Sequence, residues 1–495
     1  MAKAQTPCCV LTLRLKPELW QVHIIEKRFR IMEHLKNSLI GLELDHLTKV
    51  QRMKKYKNLM DGINSSEGAE QKNLYEERRE LLNENGFSRY DFINAITPMQ
   101  KHFVEHFAAQ IVHRSASDVW QAFEKMLYKN GKKVHFIQKG ALNSIACQKI
   151  GNGMSLKDGN FEWNGGRCKN RITLSIKVEP PKTAYEKEML KKKIKNLRIV
   201  RKWSKSKYKY CLQITFEGDP VIKKRNIRYG KRVGIDIGTS TVAIASDQEV
   251  RLLELADRVK RNCERKIILQ RKMDRSRKIC NPDNFNANGT IKRGKKLHWN
   301  YSKNYRKMQK QVREFERKNA AIRKYQHICL ANYILSQGTE VYVEKMSFAG
   351  LQHRARETTY NKQGRINKKK RFGKSLGNRA PAMFLEILDK KLKAATGIEL
   401  HKVDTQKFKA SQYNHITDSY EKKSLNDRWT NLENNIKIQR DLYSAFLLMN
   451  STINMDKPDR ELCEKTYNHF KEMHDIEINR IRGEGKKHIK SFGIA

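Results

Sequence analysis

The 495-residue chain carries 102 lysines and arginines against 53 aspartates and glutamates, a formal charge of +49 spread along its whole length. Such an excess raises self-repulsion unless a polyanion neutralises it, and nucleic acid is the natural partner. No apolar run approaches the ~20 residues of a spanning helix, and Met1–Pro7 is too short and polar to begin a signal peptide, so the expectation is a cytoplasmic protein of two to four domains.

Cys9, Leu11, Leu13 and Leu15 alternate with Val10, Thr12 and Arg14, which predicts a strand with one apolar face. Pro17 then opens a helix, and Ile25, Phe29, Met32 and Leu35 share one helical face. Helical spacing continues through Lys72–Leu82, Asp91–His113 and Asp118–Tyr128, with separators at Asn83–Ser88 and His113–Ser117. After Gly131 the period changes to two: Ile172, Leu174, Ile176 and Val178 alternate with polar residues, as do Tyr208, Tyr210, Leu212, Ile214 and Phe216. This predicts a β-rich module, a small barrel that the first strand joins. Lys202, Trp203, Lys205 and Lys207 flank it, with Arg201 and Lys209 nearby, and aromatics among cations suit base stacking or phosphate contact. Core packing explains the tyrosines equally well.

Arg232–Ser246, RVGIDIGTSTVAIAS, reads as strand, tight turn and return strand. A carboxylate inside an apolar strand is costly unless a cation or proton compensates it, which makes Asp236 a candidate metal ligand. The pattern also fits the first phosphate loop of actin-like ATPases, the first strand of RNase H-like nucleases, and a plain hairpin whose Asp caps a turn. A long helical arm is expected from near Leu252, broken at Asn281–Gly294, with Tyr305, Met308, Val312, Phe315, Ile322, Tyr325 and Cys329 as its core stripe.

Thr339–Met346 is a strand ended by Glu344, the second candidate ligand. A basic loop follows, with Lys368, Lys369, Lys370 and Arg371 in a stretch suited to a nucleic-acid lid. Pro381–Thr396 is a helix with Phe384, Ile387, Leu388 and Leu392 inward; Ile398–Asp404 is a strand whose Asp404 is a possible fourth carboxylate. Ile436–Asn450 carries Asp441 at a helix start, where an anion also suits the helix dipole. The tail Lys457–Ala495 reads as a basic helix docked on the exterior.

Hydrolysis of a phosphodiester needs an activated water and neutralised charge at phosphorus, which two magnesium ions ~4 Å apart supply. Magnesium prefers carboxylate and water oxygens, so two ions want roughly three acids. Asp236, Glu344 and Asp441 are of the right kind. The ATPase alternative lacks a second glycine-rich phosphate motif and a paired-glycine adenosine motif. A DDE-type transposase would share the fold and metals.

GIDIGTS with Asp236, VYVEKMSF with Glu344 and IQRDLYSAFLLMN with Asp441, in that order, resemble the split RuvC nuclease of TnpB-like proteins and compact type V CRISPR effectors. KKVHFIQKGALNSI, PAMFLEILDKKLKAATG and VDTQKFKAS match in order and kind, so the resemblance covers nearly the whole chain. It implies a multidomain α+β and α/β protein: a wedge-type β-barrel (1–16 and 131–229) with an inserted helical recognition lobe (17–130), then an RNase H-like RuvC domain. The latter spans 230–404, with a helical hairpin at about 252–335 and a basic lid at 352–374, and resumes at 439–495 after an insert at 405–438 that binds target nucleic acid. The implied activity is RNA-guided cleavage of double-stranded DNA beside a short protein-read motif, with Asp236, Glu344 and Asp441 holding Mg, two ions by the chemistry above. A nuclease-idle, RNA-guided repressor is the alternative. Guide RNA and target DNA are the implied partners, with Arg428 and Arg440 as further contacts; monomer or homodimer stays open, as does a transposon or CRISPR origin of the guide. One departure stands out. Where the family carries a four-cysteine zinc ribbon, Ser411–Asn435 has no cysteine, and Asn414 and His415 fall near its first pair. The nine cysteines of the chain are scattered and none are spaced C-x-x-C, so no zinc is expected and the thiols read as reduced.

Overall fold

The computed structural model describes residues 6–494 apart from 130, 205–206, 223–225, 293, 295, 362, 365–366, 368–371, 423, 425–426, 433–435 and 486–487. The chain divides into two compact units, Met1–Val221 and Ile222–Ala495. Among the described residues no helix is long and apolar enough to cross a membrane.

The first unit opens with β1 (Cys8–Lys16) and the helices α1 (Leu19–Arg52), α2 (Lys54–Ser65), α3 (Gly68–Glu84), α4 (Arg89–Lys101) and α5 (Ala109–Tyr128). There follow β2 (Ser144–Ala146), β3 (Met154–Lys157), β4 (Asn160–Asn164), β5 (Thr173–Val178), α6 (Ala184–Leu190), β6 (Ile194–Ser204) and β7 (Lys207–Glu217). The strands form one antiparallel sheet of seven in the order β2-β6-β7-β1-β5-β4-β3. The expected barrel is therefore corrected to an open sheet. The reason lies in β1: it pairs with β7 from Cys8 to Arg14 but with β5 only at Leu15 and Lys16, so it hands the sheet on without bringing its outer strands β2 and β3 together. The apolar face of β1 packs with Ile25, Phe29, Met32 and Leu35 of α1 in one core.

The helix boundaries differ at one place from the spacing. His113–Ser117 lies inside α5, and the break falls at 102–108 instead. Ser115 and Ser117 are buried, and the Ser117 hydroxyl donates to the His113 carbonyl, so these small polar residues continue the helix rather than end it.

The second unit contains β8 (Arg232–Ile237), β9 (Thr241–Ser246), β10 (Val250–Glu254), α7 (Lys260–Ile279), α8 (Lys303–Gln337), β11 (Glu340–Glu344), α9 (Phe348–Leu351), α10 (Gly373–Arg379) and α11 (Pro381–Thr396). Then come β12 (His401–Val403), α12 (Thr405–Phe408), β13 (Tyr413–Asn414), β14 (Ser419–Tyr420), β15 (Trp429–Asn431), β16 (Lys437–Gln439), α13 (Arg440–Met449) and α14 (Arg460–Gly483). Five strands make a mixed sheet ordered β10-β9-β8-β11-β12, antiparallel through β10-β9-β8 and parallel through β8-β11-β12. Val233, Ile235, Ile237, Val341 and Val343 face Ile334 and Leu335 of α8 and Phe384, Leu388 and Leu392 of α11. Ala243, Ala245, Leu252 and Tyr342 face α13 and Phe470, Ile478 and Ile481 of α14 on the other side.

Three expectations change here. The arm does not start near Leu252: Val250–Glu254 pairs with β9 as an edge strand, and the helix starts at Lys260. The stripe along α8 is not a full core, since Tyr325 and Cys329 are exposed and Tyr305, Met308, Val312, Phe315 and Ile322 are half-buried. The tail is not an exterior addition, because α14 supplies one wall of the core over the sheet.

Candidate active site

The three acids come together through two independent registers. In the parallel pair β8–β11, Tyr342 lies beside Gly234 and Val343 beside Ile235, so Glu344 follows beside Asp236 on the same face. Adjacent strands lie about 4.8 Å apart, which sets the two carboxyls as neighbours at the strand ends. The second register is strand against helix. Arg232 donates to the Ser451 carbonyl at 2.9 Å, just past the end of α13. Two residues on, Gly234 lies under the helix so closely that a Cβ would sit 1.9 Å from the Ala445 carbonyl oxygen and 2.5 Å from the Met449 nitrogen. Glycine is required there because backbone meets backbone. Two residues further, Asp236 reaches the start of α13, where Asp441 occupies the first turn. Side chains at i, i+2 and i+4 of a strand share a face, so α13 must run antiparallel to β8 and deliver Asp441 to Asp236.

The electrostatics agree. Burial raises the Asp236 carboxyl well above its usual range, and the charges of Asp441 and Glu344 raise it further, while Arg440 and Arg428 pull the other way. Asp236 is enclosed by protein yet keeps an accessible edge. Burial also raises Glu344, offset by the Ala410 backbone N–H, and raises Asp441, offset by Arg440 and Arg428. The Asp441 Oδ1 lies 3.5 Å from Arg440 Nη2 and 3.9 Å from Arg428 Nη1. Ala410 is presented by Lys409, which holds a left-handed backbone (φ 47°) at the end of α12, a strained conformation for a residue with a side chain. Three acids so placed resist simultaneous ionisation. As the side chains stand, no three of His, Cys, Asp or Glu among the described residues close into a metal-ligand set, and that includes these acids.

The remaining predicted residues fall elsewhere. Asp404 is exposed and caps α12 by accepting from the Gln406 N–H at 2.8 Å. Lys202 and Lys207 are exposed on β6 and β7, and Trp203, 46% exposed, stands edge-on to Tyr208 at 4.9 Å. Arg201 is a structural residue: it is buried, pairs with Glu26 and donates to the Leu142 carbonyl at 2.9 Å. Tyr210 is core, its hydroxyl donating to Glu26 at 2.8 Å. Lys205 and Lys368, Lys369, Lys370 and Arg371 lie outside the described residues. Arg428 and Arg440, expected at nucleic acid, point at Asp441. A cavity of about 1150 Å³ is lined by Arg428 with Trp429, Lys437, His474, Arg482 and Lys490, and the acids do not line it.

Sequence reasoning missed Gly234 and the Ala410 N–H, and it named Arg428 and Arg440 as nucleic-acid contacts without seeing that they sit beside Asp441. The small residue two places before an in-strand acid was a usable signal. The Ala410 contact depends on a turn and the Arg428 contact on a hairpin, and neither has a periodic signature.

No family model and no curated protein matches the chain. Solved structures do resemble it. A Cas12f1 complex with sgRNA and target DNA aligns over 90% of this chain and 99% of that one, with a TM-score of 0.48 and 12% identity. A CRISPR-Cas12f ternary complex aligns over 87% and 82%, at a TM-score of 0.29 and 14% identity. A mini RNA-guided endonuclease, CRISPR-Cas_phi3, aligns over 66% and 60%, at 0.30 and 11%. These structural neighbours are compact type V effectors. At such scores the likeness does not itself bear on function, which has to be argued from the acids.

Proposed function

We propose that this protein is an RNA-guided DNA endonuclease in which Asp236, Glu344 and Asp441 form the cutting site of an RNase H-like, RuvC-type domain. The observation that carries the reading is the meeting of three carboxylates from β8, β11 and α13, with burial raising the proton affinity of all three. Evolution has little structural reason to gather such acids, since each costs stability unless a cation arrives. The 3-2-1-4-5 order of the sheet, antiparallel then parallel, suits an RNase H-like core.

The donor chemistry fits a hard divalent ion: the cluster is all carboxylate oxygen, without thiolate or imidazole. Magnesium, when bound, would supply an activated water and charge neutralisation at phosphorus. Asp236, flanked by both other acids, would hold the ion together with them. Glu344 is steadied by the Ala410 N–H. Arg440 and Arg428 hold Asp441 and add positive charge beside the cluster for a phosphate to meet. The +49 charge suits long contact with the phosphates of a guide RNA and its heteroduplex. Sequence would be read by base pairing and a short adjacent motif by the protein, as in other RNA-guided effectors.

The test is to purify the protein from its native locus, sequence the bound RNA, and assay matched DNA targets with Mg²⁺. Asp236→Ala and Glu344→Ala should each reduce cleavage by about a thousandfold or more, with RNA and DNA binding kept. Variants that cut like the parent would remove the nuclease reading. A parent that binds its target tightly but never cuts would establish the repressor reading.

A further inference from the structure

We infer that residues 411–439, in the position of the resembled family's zinc ribbon, are fastened by an aromatic clamp instead of a metal: the His415 imidazole, bound to the Tyr443 hydroxyl, locks the segment onto the helix that bears Asp441. The clamp is a property of the fold; its bearing on cleavage rests on the nuclease reading.

A structural zinc takes four Cys or His donors in a tetrahedron. Residues 411–435 offer no cysteine and one histidine, His415. That histidine is committed elsewhere. It is 2% exposed, its Nδ1 lies 2.6 Å from the Tyr443 Oη, and the same oxygen accepts the His415 backbone N–H at 3.1 Å. Its ring packs against Tyr467, Tyr443 and Phe446 with centroids 4.8, 5.8 and 6.0 Å away. Burial lowers its proton affinity, so it stays neutral. Cys463 on α14 is also buried, its thiol pushed up to about 12, the opposite of what a thiolate ligand requires. Among the described residues no further cysteine, histidine or acid completes a set.

The other end of the segment is tied down without metal too. The β15–β16 hairpin pairs Trp429 with Gln439, and the Arg440 N–H donates to the Arg428 carbonyl at 2.9 Å. The Gln439 N–H donates to His474 Nε2 at 3.0 Å, and its side chain caps α13 through the Leu442 N–H. The indole of Trp429 donates to the Gly493 carbonyl at 2.8 Å. Both ends therefore converge on α13, one at its first turn and one at Tyr443. A zinc ribbon folds around its ion; this segment folds around a helix already placed by the sheet.

The experiment uses the full-length protein, elemental analysis and hydrogen exchange read by mass spectrometry. Zinc should be well below stoichiometric, and neither a zinc chelator nor added Zn²⁺ should alter exchange across 413–439. Tyr443→Phe, which keeps the ring and removes the hydroxyl, should accelerate exchange at 413–420 about tenfold, with α11 unchanged. His415→Ala should accelerate it further, and His415→Phe less than His415→Ala. Stoichiometric zinc whose removal opens the segment would overturn the clamp. So would Tyr443→Phe and His415→Ala that exchange like the parent. These readouts do not depend on cleavage, so an inactive Asp441 site would leave them standing.

Discussion

Arg28 in the first unit and Asp236 in the second are both charges enclosed by protein, and their surroundings differ in kind. The Arg28 guanidinium is fully buried, donates at 2.8 and 2.7 Å to the carbonyls of Trp163 and Ile172, and lies over the Trp163 ring at 4.7 Å. Nearby, Glu33 accepts the Gly140 N–H at 2.9 Å, and Glu26 takes both Arg201 and the Tyr210 hydroxyl. The chain supplies these partners itself. Around Asp236 it adds two more carboxylates, and the guanidiniums that answer, Arg440 and Arg428, reach Asp441. A buried charge that the fold meets with carbonyls and an aromatic face reads as structure, even where, as at the Arg28 Nε, one donor lacks a partner and burial lowers the proton affinity; a group of like charges left short of compensation reads as a place for a ligand.

The sharpest way to break this contrast is to remove Arg28. Arg28→Met keeps much of the stem but removes two charge-assisted bonds, to the Trp163 carbonyl and to the Ile172 carbonyl, which keeps the Gly165 N–H, so the first unit should lose about 4 kcal/mol, seen as a lower urea midpoint for exchange in α1. A loss under about 1 kcal/mol would mean that the carbonyls find water and that Arg28 is not a keystone of β4 and β5.

A slightly smaller effect separates the units by pH. Burial pushes His415 down to about 4 from 6.5. Its folded proton affinity is depressed, so the unfolded chain takes the proton first. The His415 contribution to the second unit should be fully present above pH 6.5 and fall by up to about 3 kcal/mol as pH falls toward 4. Glu464 and Arg460 face this ring and act in opposite senses. In the first unit, burial and Asp91 push Glu43 up to about 7 from 4.5. Its contribution is present below pH 4.5 and is lost as pH rises through 7, again by up to about 3 kcal/mol. Between these limits the two contributions have opposite slopes, measurable as the difference between the parent and His415→Phe or Glu43→Gln in unit-resolved exchange corrected for its intrinsic pH dependence. Glu43→Gln should flatten the first slope only; a common slope would show that neither group governs its unit.

What the sequence revealed about this contrast follows from how local each signal is. The acids were legible because an ionisable residue interrupts an apolar strand at Asp236, ends one at Glu344 and opens a helix at Asp441. The inward faces of α1 and α11 were legible from their 3.6 period. The open sheet was not, because closure depends on where β1 leaves β7 for β5, a choice between partners about 160 residues on and more. β10 was absorbed into the following helix because Val250 and Leu252 suit either period until pairing with β9 decides. Arg201 looked like a nucleic-acid contact because charge in a strand has no visible direction in sequence; its partners, Glu26 and the Leu142 carbonyl, are distant in the chain.

The smallest expected effect carries the opposite sign to the first. Asp236→Asn removes one negative charge from a group whose members raise one another's proton affinity. In metal-free buffer the variant should be more stable than the parent by about 1 kcal/mol, the usual size of gain when a functional compromise is relieved. Adding Mg²⁺ should then stabilise the parent, by about 2.7 kcal/mol at a hundredfold excess over its dissociation constant, and stabilise the variant much less. The two titrations would cross. If Asp236→Asn instead destabilises the second unit without metal, the carboxylate is serving the fold as Arg28 does. The distinction between satisfied and unsatisfied charge would then fail at the residue on which it was built.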